Sequence, residues 1–177
     1  MRAAACFPQV HYLPPVKFKP VERVLWAKWS TEAPPFIRKQ ERRTGRRALG
    51  VAYERKVQGY LQELYGNEYI ASPWLHFQEP GGPLRWCQPD GILIRADEGI
   101  ITCIEVKYQH TVDAWWQLWR LYVPVLLALF PPSLWSMHVC EVVKWFDPST
   151  AFPQRPRMTP QLLDTRVGAF NVHIWHP

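Results

Sequence analysis

Three ionisable side chains stand at spacings that could serve chemistry on a phosphate ester. Asp90 follows Pro89 directly, and Glu105 and Lys107 are two residues apart on a later segment. Two neighbouring carboxylates can hold Mg²⁺, which takes a few hard oxygen ligands and keeps several waters. A cation held there would lower the pKa of a bound water, and a lysine beside it could orient that water or neutralise a phosphate. This chemistry requires the chain to bring all three residues together.

The segments around these residues predict a β-hairpin. The stretches 84–95 and 100–109 alternate with a period of two, and a tight Asp-Glu-Gly turn joins them. Asp90 then falls roughly opposite Glu105 and Lys107, which share one face of their strand. The Cβ atoms of Asp90 and Glu105 are expected about 5 Å apart. Two carboxylates this close repel strongly unless a cation lies between them, so the pair suits a metal site.

A further carboxylate lies on a predicted helix before the hairpin. Residues 46–65 repeat apolar side chains every three or four positions, and Gly66 is a typical helix terminator. Glu54 lies beside the apolar stripe of this helix rather than opposite it. A helix packed on the sheet could therefore add Glu54 to the two strand carboxylates.

The remaining periodicity predicts a mixed α/β domain built around a small sheet. Thr111 suits the N-cap of a helix that Pro124 is expected to kink or break. The other predicted elements are a short helix at 20–29, a strand at 68–79 that Pro73 could break, a helix at 111–130, and strands at 136–146 and 169–175.

The charge of the chain favours an anionic partner, either nucleic acid or an acidic membrane surface. The formal net charge is +6, and residues 38–47 carry much of it. On a helix, Arg42 and Arg46 share one face, as do Arg43 and Arg47, so these four guanidinium groups could contact phosphates. The same run could instead be a solvated basic surface.

The cysteine and hydropathy patterns predict a cytoplasmic protein with no membrane partner. The four cysteines are scattered without Cys-x-x-Cys spacing, which disfavours a structural zinc site and fits a reducing compartment. The N-terminal stretch lacks the apolar core of a signal peptide. The longest apolar stretch, 121–132, is too short to span a bilayer and contains Pro124.

Composition divides the chain into three parts. Residues 1–37 are proline-rich and are expected to form an arm that wraps the domain or reaches a protein partner. Residues 38–146 hold the predicted hairpin and both longer helices, and form the expected core domain. Residues 147–177 begin with a loop rich in proline and arginine and are expected to pack on that core as a C-terminal extension.

The residues around the hairpin resemble the PD-(D/E)XK nuclease superfamily, whose members share the restriction-endonuclease-like fold. The resemblance is carried by Pro89-Asp90 in "PDGILI" and by Glu105-Val106-Lys107 in "CIEVKY". Upstream, "GVAYERKVQGYL" at 50–61 resembles the helical motif of this family. Glu54 takes the place of the first carboxylate of that motif.

A downstream stretch extends the resemblance toward RecB-type members of the superfamily. The sequence "WWQLWRLY" at 115–122 resembles the RecB-type helix that carries a Gln followed by a Tyr. Gln117 and Tyr122 take those places. Five residues separate this pair, where RecB-type members usually show four. The resemblance as a whole covers about residues 46 to 145.

The resemblance implies a restriction-endonuclease-like α/β core that hydrolyses DNA phosphodiester bonds with Mg²⁺, for which Mn²⁺ would substitute. It also implies a role for each matched residue. Asp90 and Glu105 would bind the metal together with the Val106 carbonyl, and Lys107 would activate the water and stabilise the phosphate. Glu54 would bind a second metal or a metal-bound water. Gln117 would support Lys107 or hold the DNA backbone.

Simpler explanations remain for each of these residues. They are a turn position for Asp90, a surface ion pair for Glu105 with Lys107, pairing of Glu54 with Arg55 or Lys56, and an ordinary helical position for Gln117. The histidines His76, His110 and His138 are more often satisfied or exposed than they are ligands.

Two other functions stay open on sequence grounds. The same fold could be a catalytically inactive module that binds DNA ends or junctions, or that scaffolds a viral or repair assembly. Alternatively, the chain could be an interaction protein whose basic run binds an acidic protein. A nuclease with this core could be an exonuclease, a structure-specific endonuclease or a junction resolvase. A homo-oligomer is compatible with the sequence. The small size and basic charge suggest a phage origin by analogy alone.

Overall fold

The strands form two separate sheets in a computed structural model that describes residues 19–36, 44–145 and 170–176. Two helical segments pack with them, so the predicted mixed α/β class is confirmed. The strands are β1 (Trp26–Ser30), β2 (Tyr69–Ala71), β3 (Trp74–Gln78), β4 (Leu84–Cys87), β5 (Gly91–Arg95), β6 (Ile100–Gln109), β7 (Ser136–Trp145) and β8 (Phe170–Ile174). The helices are α1 (Arg46–Tyr65), α2 (Val112–Gln117) and α3 (Val123–Leu129).

The larger sheet has five strands in the order β2-β5-β6-β7-β8. Strands β5 and β6 form the predicted antiparallel hairpin, with Gly91 opposite Ile104 and Arg95 opposite Ile100. Strands β6 and β7 are parallel, and a parallel pair needs a long crossover, which the α2–α3 segment supplies. The long strand β6 therefore lies in the middle of the sheet and presents both of its faces to packed elements.

Each face of the five-stranded sheet has its own apolar core, because strand side chains alternate between faces. One core joins alternate residues of β5, β6 and β7 to the α2–α3 segment and to the smaller sheet. The other joins the intervening residues, including Ile104 and Val106, to Tyr53 and Val57 of α1. Helix α1 matches the prediction for 46–65, and it ends at Gly66, whose φ of 55° suits glycine.

The smaller sheet contains β1, β3 and β4, and it corrects one expectation. The segment 20–29 was predicted to begin a helix at Pro20, but Trp26–Ser30 is a strand that pairs antiparallel with β3. The pairing supplies hydrogen bonds that a short isolated helix could not match, and Trp is common in strands. The buried side of this sheet contributes Leu75, Phe77 and Cys87 to the first core.

Two predicted strands are each divided between the two sheets. The stretch 68–79 splits into β2 and β3 at Ser72-Pro73, and the stretch 84–95 splits into β4 and β5 at Pro89-Asp90. Proline cannot donate a ladder hydrogen bond, so it suits a point where a strand leaves its partner. Ser72 has a φ of 44°, an uncommon left-handed conformation for a non-glycine residue.

The predicted helix at 111–130 contains a π turn over Leu118–Tyr122, between α2 and α3. The Val123 N–H bonds to the Leu118 carbonyl five residues earlier, which defines the π turn. Pro124 lies just beyond it and has no N–H for the Arg120 carbonyl. The Val21 N–H donates to that carbonyl at 2.7 Å, so the N-terminal segment completes the helix. Among the described residues, no helix is long and apolar enough to cross a lipid bilayer.

Candidate active site

Asp90 lies where the chain crosses from the smaller sheet into the larger one. The pairing of Gly91 with Ile104 places Asp90, one residue earlier, beside Glu105. The Asp90 Oδ2 atom accepts a hydrogen bond of 2.7 Å from the Val106 N–H. The N–H and C=O groups of one residue in a strand point to the same side, so the Val106 carbonyl also faces the Asp90 side.

Glu105 and Lys107 lie on the sheet face that the α2–α3 segment covers. The Lys107 Nζ atom donates to Glu105 Oε1 in an ion pair. Glu105 is only 2% exposed, and its second oxygen, Oε2, is buried with no hydrogen-bond partner among the described residues. A buried carboxylate oxygen without a partner is costly, so it marks a position where a cation or a donor would be stabilising.

The protonation of this cluster reflects an excess of negative charge. Burial, then the Glu54 carboxylate, raises the pKa of Asp90 to about 6, although the Val106 N–H and Lys107 act against the shift. Burial and then Asp90 raise the pKa of Glu105 to about 8. Burial alone would lower the pKa of Lys107, but the neighbouring carboxylates, Glu105 foremost, outweigh it and raise that pKa. All three pKa values are raised, so each group holds its proton more tightly than usual. The positive charge of one lysine therefore does not balance the negative charges of the carboxylates.

Glu54 of α1 is linked to Asp90 by a residue that the sequence did not single out. The Gln58 side-chain amide lies within hydrogen-bond reach of Glu54 Oε1 at 3.3 Å, of Ser72 Oγ at 2.7 Å and of the Asp90 carbonyl at 2.9 Å. Gln58 is one helical turn after Glu54, on the same face of α1. Helix α1 packs on the sheet face opposite to Glu105, so Glu54 and Glu105 approach Asp90 from opposite faces of the sheet.

The backbone on both sides of Asp90 is held by further hydrogen bonds. The Asp90 carbonyl accepts from the Ser72 N–H at 3.0 Å and from the Tyr69 hydroxyl at 3.4 Å. The Gln88 amide donates to the Ser72 carbonyl at 2.7 Å, and the Tyr122 hydroxyl donates to the Gln88 carbonyl at 3.1 Å. These bonds fix the segment Gln88-Pro89-Asp90 between two sheets and the π turn, which fixes the orientation of the Asp90 carboxylate.

Gln117 is the last residue of α2, directly before the π turn. Its side chain is half-buried, and Oε1 has no hydrogen-bond partner among the described residues. Thr111 occupies the predicted N-cap position of α2 without a side-chain capping bond. Burial, with Glu105 and Asp90 as further causes, raises the pKa of Tyr122 well above its usual range, so this tyrosine lies near the carboxylates.

The predicted phosphate contacts fall in two groups. Arg46 and Arg47 are exposed and form the first turn of α1, whose N-terminus favours anions. Arg42 and Arg43 lie outside the described residues. The proline-rich arm predicted to reach a partner is likewise outside them for residues 1–18.

A buried pair of Glu141 and His110 extends the polar cluster across the sheet. Glu141 of β7 is the register partner of Glu105, so the two side chains share a face. Glu141 is fully buried, and its Oε2 lies 2.6 Å from Nδ1 of the buried His110. Burial raises the pKa of Glu141 even with His110 beside it. The available sequence signal for Glu141 was a charged residue within the apolar run "HVCEVVKW".

The ligand set fits a cation held by two carboxylates rather than three. Within the residues that the structure describes, no group of three or more His, Cys, Asp and Glu side chains is arranged to hold a metal. Mg²⁺ commonly uses only one or two protein carboxylates and fills its other positions with water and substrate oxygens. Asp90 and Glu105 fit that pattern, with the unpartnered Glu105 Oε2 as the free donor. Glu54 does not join them in a three-carboxylate group.

Comparison of the chain with protein-family models, with curated proteins and with solved structures finds no significant match.

Proposed function

We propose that this protein is a Mg²⁺-dependent nuclease that hydrolyses DNA phosphodiester bonds. The observation that carries the proposal is the position of Asp90 beside Glu105 and Lys107 at the crossing between two sheets. Ionisable groups that perturb one another's pKa values at a partly buried position are typical of functional sites. A net charge of +6 is suited to a polyanionic substrate.

The fold proposed for this activity is the restriction-endonuclease-like core. A helix, an antiparallel hairpin, a crossover helix and a parallel strand follow one another in the larger sheet, as the resemblance to PD-(D/E)XK nucleases implies. The π turn also accounts for the one irregular spacing in that resemblance. A π turn adds one residue, so Gln117 and Tyr122 take positions that residues four apart would take on a regular helix.

Each residue of the site would contribute a separate part of the chemistry. Asp90, Glu105 and the Val106 carbonyl would hold the cation, which supplies Lewis acidity and a more acidic bound water. Lys107 would neutralise charge on the scissile phosphate or orient the attacking water. Its ion pair with Glu105 would keep the ammonium group beside the metal ligands. Glu54, positioned through Gln58, would accept hydrogen bonds from water near Asp90.

Cleavage of a mixed DNA panel tests this proposal. The panel contains linear duplex, single strand, supercoiled plasmid and a four-way junction, each with Mg²⁺, Mn²⁺ or EDTA. We expect metal-dependent cutting that Asp90→Ala and Lys107→Ala each reduce by about 100-fold or more, because each removes a preorganised charge at the reacting phosphate. The matched control is Asp97→Asn, which removes an exposed carboxylate from the β5–β6 turn and should cut like the parent protein.

Failure of a folded protein to cut any substrate would contradict the nuclease proposal. The inactive DNA-binding module is then the next candidate, and one observation favours it. The Lys107 ammonium already neutralises one oxygen of Glu105, which leaves less negative charge for a metal ion. That module would bind DNA ends or junctions equally well in Mg²⁺ and in EDTA.

A further inference from the structure

The smaller sheet has one face that the rest of the described chain does not bury in its core. Strand alternation and register place Leu75, Phe77 and Cys87 toward the core and the intervening residues outward. We call this outward surface the aromatic face. It consists of Trp26, Lys28, Ser30, Trp74, His76, Gln78, Leu84 and Trp86.

The rings of the aromatic face are held in fixed orientations. The Trp26 Nε1–H donates to Gln78 Oε1 at 3.1 Å, and the Gln78 amide donates to the Gly82 carbonyl at 2.9 Å. The His76 ring lies edge-on to Trp26 and to Trp86, with centroid distances of 5.6 and 4.8 Å. Trp26 is nevertheless 37% exposed. An exposed tryptophan that is already ordered loses little conformational entropy when a flat ligand stacks on it.

The charge of the aromatic face is positive. Lys28 is exposed, and its Nζ lies 5.8 Å from the centroid of the Trp26 ring. None of the residues of this face is acidic, and Glu79, just beyond β3, is already paired with Arg85. Aromatic rings beside a lysine and without carboxylates suit a ligand that combines flat rings with negative charge.

We propose that the aromatic face binds single-stranded nucleic acid by stacking bases on Trp26 and Trp86, with Lys28 contacting the backbone. Unpaired bases expose the ring faces that stacking needs, whereas duplex bases already stack on one another. Trp86 is four residues before Asp90, so its backbone lies within about 13 Å of the site. This inference rests on the proposed function and specifies its substrate as DNA with a single-stranded segment.

Binding of a fluorescein-labelled oligothymidylate, followed by fluorescence anisotropy in EDTA, tests this inference without any need for cleavage. We expect Trp26→Leu and Trp86→Leu each to weaken binding by about 10- to 100-fold, the usual value of one stacked base. Lys28→Gln, an exposed substitution, should reduce the salt dependence of binding. The matched control is Trp145→Leu, which removes a 53% exposed tryptophan from the end of β7 and should leave binding unchanged.

Each outcome separates this inference from the nuclease proposal. Loss of binding confined to the aromatic-face variants supports the inference, even for a protein that cuts nothing. The inference is overturned if Trp26→Leu, Trp86→Leu and Lys28→Gln bind the oligothymidylate as tightly as the parent protein does. It is also overturned if Trp145→Leu loses as much affinity as they do. A duplex of the same sequence that competes as well as the single strand would also overturn the inference. The nuclease proposal would stand in each case if metal-dependent cleavage is intact.

Discussion

At the scale of single residues, the cluster of Asp90, Glu105 and Lys107 makes the protein less stable than its packing would allow. Glu105 is buried with one free oxygen, and Asp90 lies beside it. Burying charge in this way costs free energy, and proteins retain such groups mainly where function requires them. The cost should be measurable as a dependence of stability on pH.

Glu105→Gln should stabilise the protein at alkaline pH in the absence of metal. The pKa of Glu105 is about 8 in the folded protein against an ordinary 4.5, so the folded state holds a proton that the unfolded state has lost. Stability therefore falls as pH rises from about 4.5 to about 8. Glu105→Gln removes this titration, and we expect a midpoint about 2–4 °C above the parent at about pH 9, or roughly 1 kcal/mol.

Thermal unfolding by circular dichroism across this pH range checks the expectation. The difference between Glu105→Gln and the parent protein should be smallest near pH 4.5. Asp97→Asn, on the exposed turn, should follow the parent curve. Added Mg²⁺ should stabilise the parent but not Glu105→Gln, because ligand binding adds to folding stability. A parent protein whose stability rises through this window would contradict the assignment of a strained Glu105.

At the scale of elements, the contact between β2 and β5 sets the position of Asp90. A Cβ atom on Gly91 would lie 2.5 Å from Cε2 of the Tyr69 ring, and the Tyr69 hydroxyl contacts the Asp90 carbonyl. Gly91→Ala should therefore displace Tyr69 and destabilise the fold by about 1–3 kcal/mol. Gly91→Ala should also lower the proposed nuclease activity, since a shift of the backbone at residue 91 would move the adjacent Asp90.

Urea unfolding of a double-mutant cycle checks this steric explanation. With Tyr69→Ala in place, Gly91→Ala should cost little more, since the overlap is gone. Gly59→Ala is the matched control, because a Cβ at Gly59 in the middle of α1 meets nothing within 4 Å. It should be neutral or stabilising by up to about 1 kcal/mol. An additive cycle would show that Tyr69 is not the cause.

The elements also show which features local sequence can predict. The β5–β6 hairpin, and with it the pairing of Asp90 with Glu105, follows from a tight turn and strict alternation, which are both local signals. A break at Pro73 was expected, but the division of 68–79 and 84–95 between two sheets was not. It depends on pairing with β1, whose partners in β3 lie 44 to 52 residues further along the chain. Glu141 was missed for the same reason, because only the parallel register of β6 with β7 makes it a neighbour of Glu105. His110 was expected to be satisfied or exposed, and Glu141 satisfies it.

At the scale of the whole molecule, the positive charge should govern affinity for nucleic acid. Arg46 and Arg47 are exposed at the first turn of α1. If both contact phosphates, the slope of log affinity against log salt should fall by about one for each residue replaced by Gln. The matched control is Arg95→Gln, since Arg95 already pairs with Glu98 at the far end of β5. Anisotropy titrations at several salt concentrations measure these slopes, and unchanged slopes in both arginine variants would contradict the phosphate contacts.

The hydrogen bond from Val21 to the Arg120 carbonyl has a consequence for biosynthesis. The two residues are 99 positions apart, by 120 minus 21, and β1 follows Val21 within five residues. At a translation rate of about 5–20 residues per second, the ribosome makes Arg120 about 5–20 seconds after Val21. Within that interval β1 can pair with β3 once β3 has been made, but the α2–α3 segment that packs on the smaller sheet is not yet complete. The first described segment to be synthesised therefore completes its packing only after most of the chain has been made.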